Sequence, residues 1–497
     1  MKIFIFPLLL LVTITLCSQS ISYKGKYRPQ FHFTPEKNWC NDPNGLVFNN
    51  GVYHLFYQHN PFENKWGHMT WAHATSKDLI HWKNLPIAIP EENGIMIFSG
   101  TCVVDKNNTS GFGKNGKIPM VAMYTGHIEN VNQSQNLAYS LDDGITWTKY
   151  IKNPILDLHT KDFRDPKIFW DEHKKYWVML FMLPVEHKVQ FYSSIDLIKW
   201  RHLSDFGPAG DTSGVWECPD LTQVNVEGNL NKKKWLLQMS QNASMQYFVG
   251  DFDGTVFTNE NNTKEILRPD YGPDYYAAIS YNQLPHQHLP TAIGWVNNWN
   301  YANDIPTNPW KGAMSIPRTL SVRKVNGNWI LVQKTFPKIN ALRKKLVIIP
   351  NVDLNDTAKI FPIKTTQFEL QVSITPKNVK TISALRIVEN DSSYFEITYK
   401  NETQILSVDR SKINNNINET YKKLNYFERK IPLEKNKIDL QIYVDNSIVE
   451  IFANDGETVF TFQIFPENDK RTIEFVSTAK STLFSNIKFW EMKSAWN

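Results

Sequence analysis

The stretch "FYSSIDLIKWRH", residues 191–202, carries the pattern that decides the fold. Two aromatics end a short apolar run, a serine pair and an aspartate follow, and Trp200 closes the next run. Ser and Asp side chains bond nearby backbone N–H groups and so favour turns, which makes this a hairpin signal. The arrangement recurs in "HATSKDLIHWK" (73–83) and "AYSLDDGITWTK" (138–149), and more faintly in "FVGDFDGTVF" (248–257). The copies lie roughly 50 to 65 residues apart, the period of a four-stranded propeller blade. Strand-like runs such as "GVYHLFYQH", "KIPMVAMYTG", "KYWVMLFML" and "KKWLLQMS" fill the intervals.

Past this repeat the pattern changes. The segment "TFPKINALRKKLVIIP" (335–350) is briefly helical and basic, with flanking prolines, and reads as a linker. Alternating runs then follow: "QFELQVSI", "SYFEITYK", "KIDLQIYVD", "SIVEIFAND", "TIEFVST" and "SNIKFWEM". Alternation with short turns predicts antiparallel sheets with one wet face, hence a β-sandwich over 351–497 after a propeller over 21–334.

Bulk properties agree. A chain of 497 residues is long enough for two domains. Aromatics make up 13%, which suits strands and also stacking on sugar faces. The net charge of +5 is not concentrated in a stripe, so nucleic acid is not an expected partner. Lys2, the apolar run from Ile3 to Leu16 and the small polar residues 17–20 form a secretory signal peptide, residues 1–20. The expected product is a soluble, secreted protein, with no membrane association after the signal is removed. Cys17 leaves with the signal, and Cys40, Cys102 and Cys218 remain, an odd number with no CxxC. Sequons begin at Asn107, Asn108, Asn132, Asn242, Asn261, Asn355, Asn390, Asn401 and Asn418. "GFGKNG" (111–116) matches a dinucleotide motif, but a strand follows it where a helix is required. The early histidines form no metal-binding pattern.

Three acids stand in unusual company: Asp42 in "WCNDPNG", Asp165 in "DFRDPK" and Glu217 in "VWECPD". Taken singly, each reads as a turn or strand-end acid, because Asp-Pro and Asn-Gly are turn dipeptides. Together they fall in different blades, and equivalent inner positions of a propeller converge on its axis. Glycoside hydrolysis needs such a set, with one carboxylate at the anomeric carbon and another protonated to serve the leaving oxygen. Trp216 is expected to raise the pKa of Glu217 by lowering local polarity, and Arg164 to keep Asp165 ionised.

At these residues the chain resembles glycoside hydrolase family 32, the invertase, inulinase and levanase family. The likeness runs through "HFTPEKNWCNDPNGL", "GVYHLFYQHNP", "WGHMTWAHATSKDLIHW", "IFSGTCVVD", "FRDP", "WECPD", "YGPDYYAA", "GWVNNWNYANDIPTNPWKGAMSIPR" and "VDNSIVEIFANDG". The resemblance implies an all-β chain, a five-bladed β-propeller followed by a C-terminal β-sandwich. It implies a retaining exo-β-fructofuranosidase on sucrose, levan or inulin, with Asp42 as nucleophile, Glu217 as acid and base, and Asp165 as transition-state stabiliser. Asn41, Gln58, Trp66, Phe98, Ser99, Arg164 and Trp299 would line the fructose pocket, and Trp295 is a further candidate. No metal or organic cofactor is implied. A fructosyltransferase using the same site, or a propeller that binds fructan without turnover, are the alternatives. Cys40 stands where the family usually has Met, which implies a looser pocket floor and sensitivity to thiol reagents.

Overall fold

The computed structural model describes residues 23–496 apart from 263, 364, 414–415 and 469–470, so the expected signal peptide lies outside the described residues. The chain is nearly all β, an N-terminal propeller followed by a C-terminal sandwich. Its first sheet runs through Asn38–Asn49, Val52–Asn60, Thr70–Ser76 and Trp82–Ile89, each strand antiparallel to the last. The next begin with Met96–Val104, Arg164–Asp171 and Trp216–Val226 and repeat the meander. Of the strands from Tyr276–Ser280 to Asn328–Thr335, Trp310–Lys311 pairs with Asn38 and Trp39 of the first sheet, and the others join the sheet before them through parallel pairing of Asn225 and Val226 with Ser321 and Val322.

The quoted repeat is the same hairpin in four successive sheets, joining the third strand to the last. In each copy an aspartate caps the turn. Asp78 accepts from the N–H of Ile80 and His81, Asp196 from Ile198 and Lys199, and Asp253 from Thr255 and Val256. Asp142 accepts from Thr146. The closing Trp82, Trp147, Trp200 and Phe257 pack into apolar clusters between neighbouring sheets. The aspartate turns the chain and the aromatic staples one sheet to the next.

The leading strands Asn38–Asn49, Met96–Val104, Arg164–Asp171, Trp216–Val226 and Tyr276–Ser280 pack side by side in a closed ring about the axis. Each carries a β-bulge near its start: between Cys40 and Pro43, Ile97 and Gly100, Arg164 and Lys167, Glu217 and Asp220, and Tyr276 and Ile279. A bulge breaks the two-residue alternation and re-aims side chains. "WCNDPNG", expected as a tight turn, is therefore a bulged strand, with a second irregularity between Asn44 and Val47. Gly45 is needed there. Its φ is +53°, and a Cβ would lie 2.7 Å from the Phe56 ring.

The sandwich departs from expectation in two places. The segment expected as a linker is a short 3-10 helix, Pro337–Leu342, followed by the strand Arg343–Ile349, which is hydrogen-bonded to the last strand of the sandwich. The runs "TIEFVST" and "SNIKFWEM" are not two strands but one, Thr472–Met492. Its first half pairs with Ile382–Asn390 and its second with Gln367–Pro376. Ala479 and Lys480, at positive φ, re-aim the chain between the halves, so one strand serves both layers around a single apolar core.

A buried ionic chain ties sandwich to propeller. Asp445 accepts from the N–H groups of Gln30, Phe31 and His32 and from His32 Nδ1. His32 Nε2 meets Glu450 Oε1 at 3.0 Å, and Glu450 Oε2 accepts from Arg318 Nη2 at 2.6 Å. Burial alone would lower the His32 pKa, but its bonds to Asp445 and Glu450 carry it up to about 9 from the ordinary 6.5. The stabilisation from this histidine is thus complete below about pH 6.5 and is lost as pH rises through about 9. Glu450→Ala removes the carboxylate shared by the buried Arg318 and His32 charges, leaving each with one remaining acid, Asp270 and Asp445. We expect it to cost about 3–5 kcal/mol of stability by urea unfolding. A loss under 1 kcal/mol would contradict this role.

Candidate active site

All ten sequence-selected residues line one cavity of about 570 Å³ at the mouth of the ring of leading strands: Asn41, Asp42, Gln58, Trp66, Phe98, Ser99, Arg164, Asp165, Glu217 and Trp299. Trp295 does not. It is fully buried behind Trp299, its ring 4.7 Å from that neighbour, and its indole N–H binds Cys40 O.

Asp42 is held from two sides. Ser99 Oγ donates to Oδ2 at 2.7 Å and Asn41 Nδ2 to Oδ1 at 3.0 Å, while the Trp39 indole fixes Asn41 through its Oδ1. Burial raises the pKa of Asp42, the Ser99 and Asn41 bonds oppose this, and the Glu217 charge adds to the rise. Three carboxylates thus feel one another across the cavity.

Glu217 has a different setting. Arg164 Nε donates to Oε1 at 3.2 Å, and the Tyr276 hydroxyl donates to Oε2 at 2.5 Å. Trp216, expected to shield this acid, does not touch it. Adjacent residues of a strand point to opposite faces. The Trp216 ring is buried between sheets, with its N–H bonded to Asp211 O.

Asp165 also corrects an expectation. Burial pushes its pKa up to about 7, Arg164 opposes, and the charges of Glu217 and Asp42 add to the rise. Arg164 fails to hold it down because its guanidinium lies closer to Glu217, 3.1 Å from Oε1, than to Asp165, 3.9 Å from Oδ2. Asp165 sits at φ 64°, with its N–H bonded to Thr125 Oγ1 and its Oδ2 accepting the Cys218 N–H at 2.9 Å. Since the folded pKa lies above the ordinary 3.8, its contribution to stability is complete below that value and lost as pH rises through about 7. Asp165→Asn should therefore raise stability at pH 7 by on the order of 1–4 kcal/mol and leave it unchanged at pH 3. Thermal melts at the two pH values measure this, and no gain at pH 7 would refute it.

Cys40 is not part of the cavity. It packs with Phe33, Leu46 and Tyr57 on the other face of its strand, and burial pushes its thiol pKa far up. It does not line the pocket floor. The thiol at the site is Cys218, whose Sγ lies 3.5 Å from Asp42 Oδ2 and 3.6 Å from Asp165 Oδ2. Neither Cys218 nor Tyr276 stands out in the sequence as a site residue, although both lie in quoted motifs. Asp162 and Asn303, also within quoted motifs, line the cavity as well, as do His127 and Gln133, which carry no local signal.

Models of the N-terminal and C-terminal domains of glycosyl hydrolases family 32 match residues 32–335 and 338–491. The chain belongs to glycosyl hydrolase family 32. Among its family 32 relatives, a levanase of Bacillus subtilis strain 168 is 40% identical over 99% of this chain and 74% of its own length. The extracellular exo-inulinase inuE of Aspergillus niger is 37% identical over 98% of this chain and 99% of its own. The crystal structure of an exo-inulinase from Aspergillus awamori superposes with a TM-score of 0.90 at 34% identity, covering 96% of this chain and 100% of that one. The cavity described above is thus set in a glycoside hydrolase.

Proposed function

We propose that this family 32 chain is a secreted, retaining β-fructofuranosidase that releases terminal fructose from sucrose and fructans in exo fashion. The observation that carries the reading is the pairing of two carboxylates in unlike settings on one cavity. Asp42 is held by the Ser99 hydroxyl and the Asn41 amide, and Glu217 by Arg164 and Tyr276. Ionised Asp42 attacks the anomeric carbon while protonated Glu217 gives its proton to the departing oxygen. Glu217, now a carboxylate, takes a proton from water, and the resulting hydroxyl breaks the fructosyl ester of Asp42 with retention. Asp165 and Arg164 hold fructose hydroxyls, with Gln58 and Asn41 lining the same cavity and Trp66, Phe98 and Trp299 forming its apolar wall. The three names among its relatives agree in acting on fructans.

The closed ring of leading strands supports a five-bladed propeller over 21–334. The joining segment then reduces to the short helix Pro337–Leu342, because the next strand is bonded into the sandwich. Among the described residues no helix is long and apolar enough to cross a membrane, and residues 1–20 would serve as signal peptide.

Incubation with sucrose, inulin and levan, with products resolved by chromatography, tests the reading. Free fructose should be the main product from each at early times. Trisaccharide dominating at moderate sucrose would make the chain a fructosyltransferase, and binding without any turnover would make it a fructan-binding propeller. Activity should be bell-shaped in pH with an acidic optimum, since one carboxyl must be charged and its partner protonated. A flat profile from about pH 4 to pH 8 would contradict the mechanism.

A further inference from the structure

A second cavity, of about 390 Å³, opens at the opposite end of the leading strands. It reaches Val104, five residues along its strand from Ser99, and so lies roughly 17 Å from the catalytic cavity. Asn282 separates the two. Its Nδ2 lies within bonding distance of Thr101 Oγ1, Cys102 O and Ile168 O at 2.9–3.0 Å, binding neighbouring leading strands together across the axis. The second cavity is therefore not an extension of the first.

Its lining differs from that of a packing defect. Trp170 is half-buried at its wall, held edge-on by Trp177 at 5.2 Å and 69°. Trp177 in turn is fixed by its N–H bond to Thr109 Oγ1. The indole is thus oriented before any ligand arrives, which lowers the entropy lost on binding. Lys106, Asn107, Glu172 and His286 line the same cavity and are exposed. Opposite charges are mixed with an amide and an imidazole, so no single ion is favoured. A pre-set aromatic ring among mixed donors and acceptors matches a sugar, whose C–H face stacks while its hydroxyls both donate and accept.

We propose that this cavity is a second carbohydrate-binding site, taking fructosyl units from within a fructan chain. The proposal rests on the fructan-hydrolase reading above. A non-catalytic contact with the same polymer keeps chain ends near the catalytic cavity by raising their effective concentration. The site should matter for polymers and not for sucrose.

The test uses the full chain. The Asp42→Ala variant, inactive but folded, is run by native electrophoresis through gels containing levan, with excess sucrose to occupy the catalytic cavity. Retardation is expected, and it should largely disappear in Asp42→Ala/Trp170→Ala while Asp42→Ala/Trp170→Phe keeps much of it. In the otherwise unchanged enzyme, Trp170→Ala and Glu172→Ala should raise KM for levan three- to tenfold and leave kcat/KM for sucrose within twofold. Equal loss on sucrose and levan would mark Trp170 as structural and overturn the proposal. Unaltered retardation in Asp42→Ala/Trp170→Ala would do the same. If the parent hydrolyses sucrose and fructan yet shows no retardation, the second site fails while the enzymatic reading stands. If it hydrolyses neither, the enzymatic reading itself has failed.

Discussion

Asp42→Asn should reduce turnover of sucrose and of fructan by roughly 10⁴–10⁶-fold, the usual consequence of removing a nucleophile from a working constellation. Asn keeps the shape, so the Ser99 and Asn41 contacts have a partner and the cavity is not remodelled. What is lost is the charge and lone pair that attack the anomeric carbon. Substrate affinity should fall far less than turnover, because Gln58, Arg164, Trp66 and Trp299 still line the cavity. Single-turnover kinetics with a rapid quench measure this, and mass spectrometry of the parent enzyme should trap a fructosyl ester on the peptide carrying Asp42. A variant with near-normal rate, or an ester found elsewhere, would remove Asp42 from the role.

Glu217→Ala should fall about 10²–10⁴-fold on sucrose, the range for loss of a general acid. The deficit should depend on the leaving group. An activated aryl fructoside needs little protonation, so its first step should proceed and the fructosyl enzyme accumulate. Added azide should restore turnover by replacing the water that Glu217 no longer activates, giving a fructosyl azide of retained configuration. Neither effect is expected for Asp42→Asn. An inverted azide product, or equal deficits on activated and natural substrates, would break the assignment. Tyr276→Phe offers a finer check. It removes the hydroxyl that donates to Glu217 Oε2 and helps fix that carboxyl in the cavity, so kcat should fall while KM for sucrose changes little.

Much of this architecture is legible because it depends on short-range physics. The Ser-Asp turns and closing aromatics of residues 73–83, 138–149 and 191–202 form hairpins from contacts within a dozen residues, and the hairpins recur at one place in successive sheets. The acids were legible as a set for a related reason. A repeat puts equivalent positions in equivalent places, so Asp42, Asp165 and Glu217 meet without any local signal that they should. The sequence of Thr472–Met492 reads as two strands, because the residues between its halves look like a turn and only the two pairing partners reveal continuity.

The sequence by itself determined the repeated hairpins, the order of propeller and sandwich, and the family to which the chain belongs. The tertiary structure decided which face each side chain takes and what charge it can hold. Trp216 and Cys40 are sequence neighbours of site residues, yet both point away, because strand alternation around a bulge sets direction and a one-residue change of register reverses it. Arg164 adjoins Asp165 in sequence but serves Glu217 more closely, and Asp165 is lifted to about 7 by burial and by two acids from other strands. Direction and charge are sums over neighbours brought together from distant parts of the chain, and those sums do not exist until the ring of strands has closed.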